Sequence, residues 1–240
     1  MSIVFSGVHK TLRQKSRKTI VLEDVEAVFE GDRVTGVLAA PGTGKSTLIA
    51  LATGKLMPDK GRVKRSSNIS FPVGGGGVFH GMLTARENIA FLCRVAGFDP
   101  LPIIKFIMEF ADLDKKVMDR NFNTLNRDER TRVIFTTVYA MPYEFYLIDE
   151  VIIGGRGAFR EKCKILAEEK MQKSGFLIAT SSPAVLKNYC QDLAVLHDGT
   201  VTSVDSLEEA ENMLGVGKLK DGDGSAEHAT DDIVDTHLPI

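Results

Sequence analysis

Lys45, Ser46 and Thr47 stand directly after two glycines in the run AAPGTGKST, residues 39–47. An ammonium group and two hydroxyls beside a glycine turn suit one task, holding a polyphosphate and its metal ion. Gly42 and Gly44 let the backbone curl so that amides converge on phosphate oxygens, with Pro41 and Thr43 completing the turn. Lys45 is placed to bridge the outer phosphates and the Ser46 hydroxyl to hold magnesium. The spacing is that of a P-loop, except that Ala39 occupies the place of the first glycine.

A second set lies about a hundred residues on. Phe145-Tyr146-Leu147-Ile148 is an apolar run that ends in Asp149-Glu150. Four large apolar residues in a row read as a buried parallel strand, with two carboxylates where it emerges. Asp149 is placed to hold magnesium, through water or together with Ser46. Glu150 is placed to orient or deprotonate an attacking water. Together the two motifs imply a protein that binds a nucleoside triphosphate with Mg2+. An ordinary strand-to-helix turn does not explain why Lys, Ser and Thr all gather at the start of the helix.

The elements that must position these groups are legible in outline. Val34 to Ala39 reads as the strand entering the loop and Leu48 to Leu51 as the helix leaving it, whose N-terminal amides face the same anion. Upstream, Ile3 to Phe5 and Thr19 to Val25 read as strands joined by the basic connection HKTLRQKSRK, expected to be a solvated loop. Arg62 to Lys64 and Asn68 to Phe71 are further strand candidates. Gly74 to Gly77 is a four-glycine run expected to be mobile. Thr84 and Glu87 form a capping box before a helix carrying Ile89, Leu92, Cys93 and Ala96 on one face. Pro102 opens a second helix, and Asn126 to Glu129 cap a third over Arg130 to Tyr139. Helices over Phe159–Lys173, Pro183–Cys190 and Leu207–Leu214 alternate with strands at Phe176–Thr180, Leu193–Leu196 and Val201–Val204. That alternation implies a parallel sheet with right-handed crossovers. The expected fold class is α/β: a P-loop NTPase with an antiparallel β subdomain and an inserted helical subdomain over about 80–140. Residues 1–215 are read as one domain and 216–240 as a disordered acidic tail.

Composition narrows the setting. A formal charge of −2 and a pI near 6.2 exclude a broad nucleic-acid-binding surface. Cys93, Cys163 and Cys190 are widely spaced, which suits a reducing cytosol and small core residues. No apolar run approaches the ~18 residues that span a bilayer, so membrane contact is expected only through a partner.

The order of P-loop, helical insert and Asp-Glu strand resembles the nucleotide-binding subunit of an ABC transporter. SFPVGGGGVFHGMLTARENIAFLCRVAG at 70–97, DEVIIGGRGAFREKC at 149–163 and VLKNYCQDLAVLHDGTV at 185–201 are similar to the capsular-polysaccharide export branch. The resemblance implies a dimeric ATPase, homo- or heterodimeric, clamping two ATP molecules between the P-loop of one subunit and the signature segment of the other. It further implies an integral membrane permease partner, met by the segment around 72–97, and a peripheral location on the cytoplasmic face of the inner membrane. ATP hydrolysis would drive export of a capsular or similar cell-surface polysaccharide.

Several aligned positions depart from the family pattern. The signature, normally Leu-Ser-Gly-Gly-Gln, falls at Leu125-Asn126-Arg127-Asp128-Glu129. Asp128 and Glu129 bring like charge toward a γ-phosphate, worth about 4 kcal/mol at ~4 Å and an effective dielectric near 20, before screening. The switch histidine aligns with Ser181, whose hydroxyl can reach a γ-phosphate but carries no charge. The adenine-stacking aromatic aligns with Leu12, and Arg156 stands where the branch has an aspartate. No glutamine lies between Gln14 and Gln172 to link the lobes. The competing readings are a weakened ATP-binding module acting as a regulator, and an unrelated P-loop kinase. The kinase reading needs an acceptor site, for which the helical insert offers no residue set.

Overall fold

In a computed structural model that describes residues 2–14, 17–65, 68–74 and 77–215, the chain begins with strands β1 (Ser2–Gln14), β2 (Arg17–Glu30) and β3 (Val34–Leu38). Helix α1 (Lys45–Thr53) and strand β4 (Lys60–Arg65) follow. Then come helices α2 (Ala85–Val95), α3 (Pro100–Phe110), α4 (Lys115–Met118) and α5 (Arg127–Ala140). The remainder runs β5 (Phe145–Asp149), α6 (Gly157–Met171), β6 (Gly175–Thr180), α7 (Pro183–Tyr189), β7 (Asp192–His197), β8 (Thr200–Val204) and α8 (Leu207–Met213). These elements form two units. The first takes the described residues of 1–72, 144–150 and 173 onward; the second takes those of 73–143 and 151–172.

The first unit holds both sheets. β2, β1 and β4 make an antiparallel three-stranded sheet; the other has the order β5-β6-β3-β7-β8, with only β8 antiparallel to its neighbour. One apolar cluster joins the two sheets through α1, with Leu48, Ile49 and Leu51 packed among Phe5, Leu22, Phe145 and Leu177. Each such fully buried side chain contributes about 1.5–3 kcal/mol. The opposite face of the parallel sheet is covered by α7 and α8, through Leu186 and Ala210 against Leu38 and Val195. The second unit is helical: α2 packs on α3, α3 on α5 and α5 on α6. Ile89, Ile103, Ile107, Val133 and Val138 are among its buried apolar side chains, and the Tyr139 hydroxyl donates to Ile152 O at 2.6 Å.

Three expectations change. The basic connection is mostly strand: Lys10 pairs with Leu22, Thr11 with Ile20 and Leu12 with Thr19. Cross-strand pairing holds this hairpin even though its charge pattern reads as a loop. Asn68 to Phe71 carries only one isolated bridge, Ile69 to Phe145. Helices α3 and α5 start earlier, at Pro100 and Arg127, because Asp99 and Asn126 are their N-caps. Strand β6 runs between the carboxylate strand β5 and the loop strand β3. Gly75 and Gly76 of the glycine run and the tail at 216–240 lie outside the described residues. Among the described residues no helix is long and apolar enough to cross a membrane. Cys93 and Cys163 are buried and Cys190 half-buried, and burial pushes their thiols up to about 11, about 12 and about 12.

Candidate functional site

Sheet register sets the site. Leu38 pairs with Thr180 across β3 and β6, and Asp149 pairs with Ala179 across β5 and β6, so the three strands end level with one another. Ala39 continues β3 by donating its N–H to Thr180 O at 3.0 Å. Its backbone is not left-handed, which is why a residue with a Cβ fits the first-glycine position. The turn then closes on itself: Thr43 Oγ1 donates to Ala40 O at 2.7 Å. Gly42 and Gly44 have φ of 79° and 115°. At Gly44 a side chain is also excluded by packing, because a Cβ would lie 2.5 Å from Val21 Cγ1.

Gly44 is the N-cap of α1 and supplies no side-chain hydrogen bond, and the first turn of α1 contains no acidic residue. The amides of Lys45, Ser46 and Thr47 have no preceding helical turn to bond to, so this end of α1 favours an anion. Lys45, only 7% exposed, curls back over the loop. Its Nζ lies 3.2 Å from Ala39 O, 3.0 Å from Ala40 O and 3.0 Å from Glu150 Oε1. A buried ammonium is costly without an anion, and Glu150 provides one.

Glu150 is itself tightly held. It has φ of 67°, uncommon for a non-glycine residue, and its N–H donates to Ala179 O at 2.9 Å. Its Oε2 accepts from Ser181 N at 2.9 Å, Ser181 Oγ at 3.2 Å and Thr180 Oγ1 at 3.2 Å. Asp149 faces Ser46. Burial raises the Asp149 carboxyl above the usual range; the Ser46 hydrogen bond opposes this, the Glu150 charge adds to it, and Lys45 lowers it. One oxygen, Asp149 Oδ1, is buried without a hydrogen-bond partner. An orphaned carboxylate oxygen next to a serine hydroxyl fits a divalent cation. No cluster of three or more His, Cys, Asp or Glu side chains able to hold a metal occurs among the described residues, so phosphate oxygens and water must complete any such shell.

The sequence-predicted residues 41–47, Asp149, Glu150 and Ser181 thus all belong to the first unit, where Lys45 meets Glu150, Ser46 meets Asp149 and Ser181 meets Glu150. Sequence reasoning missed Thr180. The signal was present, a hydroxyl ending an apolar strand just before the expected switch position, but only the register aims it at Glu150.

The signature-like segment lies in the second unit. Asn126 caps α5, accepting from Glu129 N at 2.9 Å while Glu129 Oε2 accepts from Asn126 N at 2.8 Å. Glu129 is also paired with Arg120 at 3.1 Å, and Asp128 with Arg132 at 2.6 Å. Both carboxylates expected to repel a phosphate are therefore engaged within their own unit. Arg127 and Arg156, separate positions in the sequence, line one cavity of about 370 Å³ with Asn126, Asp128, Thr131 and Gly155. Leu12 lines a different cavity of about 810 Å³, with Ile20, Leu22 and Leu56. In the segment before and within α2, Met82, Phe91 and Val95 are 67%, 57% and 72% exposed. Asn88 is buried there and braces the approach to α2, accepting from His80 N and donating to His80 O, Leu83 O and Thr84 O.

No protein-family model matches the chain. It is 31% identical over 205 residues to the ATP-binding protein BexA of Haemophilus influenzae, covering 85% of this chain and 94% of BexA. It is 32% identical over 190 residues to the capsule polysaccharide export ATP-binding protein CtrD of Neisseria meningitidis serogroup B, covering 79% and 88%. The polysialic acid transport ATP-binding protein KpsT of Escherichia coli is 33% identical over 196 residues, covering 81% and 87%. Among solved structures, an ATP-binding subunit of an ABC transporter superposes with a TM-score of 0.72 at 18% identity, over 90% of this chain and 94% of that one. The ATP-binding cassette MJ0796, a dimer with ADP and Pi bound, gives 0.69 at 16% identity over 85% and 99%. These two carry the fold.

Proposed function

Since the chain belongs to the family of ABC-type, capsule-polysaccharide export ATP-binding proteins, we propose that it is the ATPase subunit of a transporter exporting a capsular or similar cell-surface polysaccharide. The observation that carries this reading is the convergence of Lys45, Glu150, Asp149 and Ser46 at one open helix N-terminus. In it, the amides of 42–47 and the Lys45 ammonium receive the β- and γ-phosphates of ATP. A phosphate oxygen competes with Glu150 Oε1 for Lys45, so nucleotide arrival frees that carboxylate oxygen. Ser46 and Asp149 would hold Mg2+, which would supply neutralisation of phosphate charge. Glu150 then orients a water and takes its proton as the oxygen bonds to the γ-phosphorus and the bond to ADP breaks. Residues 1–215 act as one cassette, and it works as an ABC-type dimer.

The permease meets the segment around 72–97. Met82, Phe91 and Val95 are exposed apolar side chains in this segment that a partner helix could cover. The chain therefore sits peripherally on the cytoplasmic face of the inner membrane, held there by that partner. Calorimetry of the full chain with Mg-ATP tests the reading. Uptake is expected, and Lys45→Ala should weaken it by roughly 100-fold or more, on the scale where each tenfold is 1.4 kcal/mol. Uptake unchanged by that substitution overturns the reading. Recovery of a polytopic membrane protein with the wild-type chain, but not with Phe91→Asp, tests the partner.

A further inference from the structure

We infer that Thr180 is a positioning residue for Glu150, and that Ser181 serves the same carboxylate rather than a phosphate. This deepens the ATPase reading above and rests on it. Thr180 is fully buried at the end of β6. Its Oγ1 accepts from Ser182 N at 3.1 Å, which leaves the hydroxyl hydrogen to point at Glu150 Oε2, 3.2 Å away. The Thr180 carbonyl meanwhile accepts from Ala39 N at 3.0 Å. One residue thus links the entry of the phosphate loop to the catalytic carboxylate.

The two oxygens of Glu150 have different surroundings. Oε2 receives three donors, from Thr180 Oγ1, Ser181 N and Ser181 Oγ. Oε1 has Lys45, the cation that a phosphate also seeks. Oε2 is accordingly the anchored oxygen and Oε1 the one that becomes available to accept a proton from water. Glu150 also sits at φ 67°, a conformation that a non-glycine residue keeps only when its neighbours impose it. With its Oγ and N–H both within bonding distance of Oε2, Ser181 is committed to holding Glu150.

The test is steady-state hydrolysis of ATP by the full chain over a range of ATP concentrations, with KM and kcat separated. Thr180→Val, which keeps the shape and removes the hydroxyl, should lower kcat about tenfold with KM within about twofold, the loss of one oriented hydrogen bond. Thr180→Ser should recover the rate to within about threefold. Ser181→Ala retains the backbone donor and should cost kcat about threefold or less with KM unchanged. An unchanged kcat in Thr180→Val, or a loss that Thr180→Ser does not recover, overturns the inference. So does a rise in KM with kcat unchanged in Ser181→Ala, which would place that hydroxyl on phosphate. Mg-ATP calorimetry reports whether Thr180→Val is folded, and Thr180→Ala carries the same test where it is not. Glu150→Gln separates the two levels: if it leaves turnover intact the general-base role given to Glu150 above fails and the positioning role with it, whereas if it abolishes turnover while Thr180→Val is silent only the positioning role fails.

Discussion

The phosphate loop and the signature-like segment both place a helix N-terminus beside charged side chains, and they treat it in opposite ways. At α1 the cap is Gly44, the first turn has no acid, and the amides stay open toward an anion. At α5 the cap is Asn126 in a reciprocal capping box with Glu129, and Asp128 is tied to Arg132. The first arrangement leaves backbone donors for a ligand, whereas the second commits the Asn126 and Glu129 amides to its own helix. A capped helix is more stable by about 1 kcal/mol. An uncapped one is available for binding. The open helix end thus lies on the unit that carries Lys45 and Glu150, and the capped one on the helical unit.

Three measurements break or sharpen that contrast. Glu150→Gln should retain Mg-ATP while hydrolysis falls by roughly 100-fold, as removal of a general base does; equal loss of binding would mean that the residue serves the loop rather than the chemistry. Asp128→Ala should change turnover by no more than about threefold, because Arg132 already neutralises that carboxylate at 2.6 Å. An unpaired charge worth about 4 kcal/mol would instead release about a thousandfold. Asp149→Asn should raise the melting temperature by roughly 2 °C, the scale of a fraction of a kcal/mol in a domain of this size, measured without magnesium. The sign follows from burial, which holds the folded-state carboxyl above its unfolded value. Stability then falls as pH rises through the window between the two, and the gain from the substitution should be larger at pH 8 than at pH 4.

Much of the loop and strand chemistry was readable directly. The spacing Gly44-Lys45-Ser46, the apolar run before Asp149 and the Thr84–Glu87 box all name local structure, because each is decided within a few residues. The hairpin was misjudged because the basic residues of HKTLRQKSRK say nothing of the cross-strand partners that hold them. Asp128 and Glu129 likewise have partners that the five-residue segment itself does not name. Their neutralising partners are Arg132, one helical turn on, and Arg120, which precedes the cap.

The sequence by itself determined that a triphosphate-binding turn and an acid-ended strand exist, since glycine freedom, helix start and strand hydrophobicity are local properties. Only the tertiary structure decided that β6 separates β3 from β5 and brings Thr180 and Ser181 onto Glu150 while Lys45 closes on its other oxygen. Sheet order and register are set by the packing of distant segments, and no window of neighbouring residues contains that information.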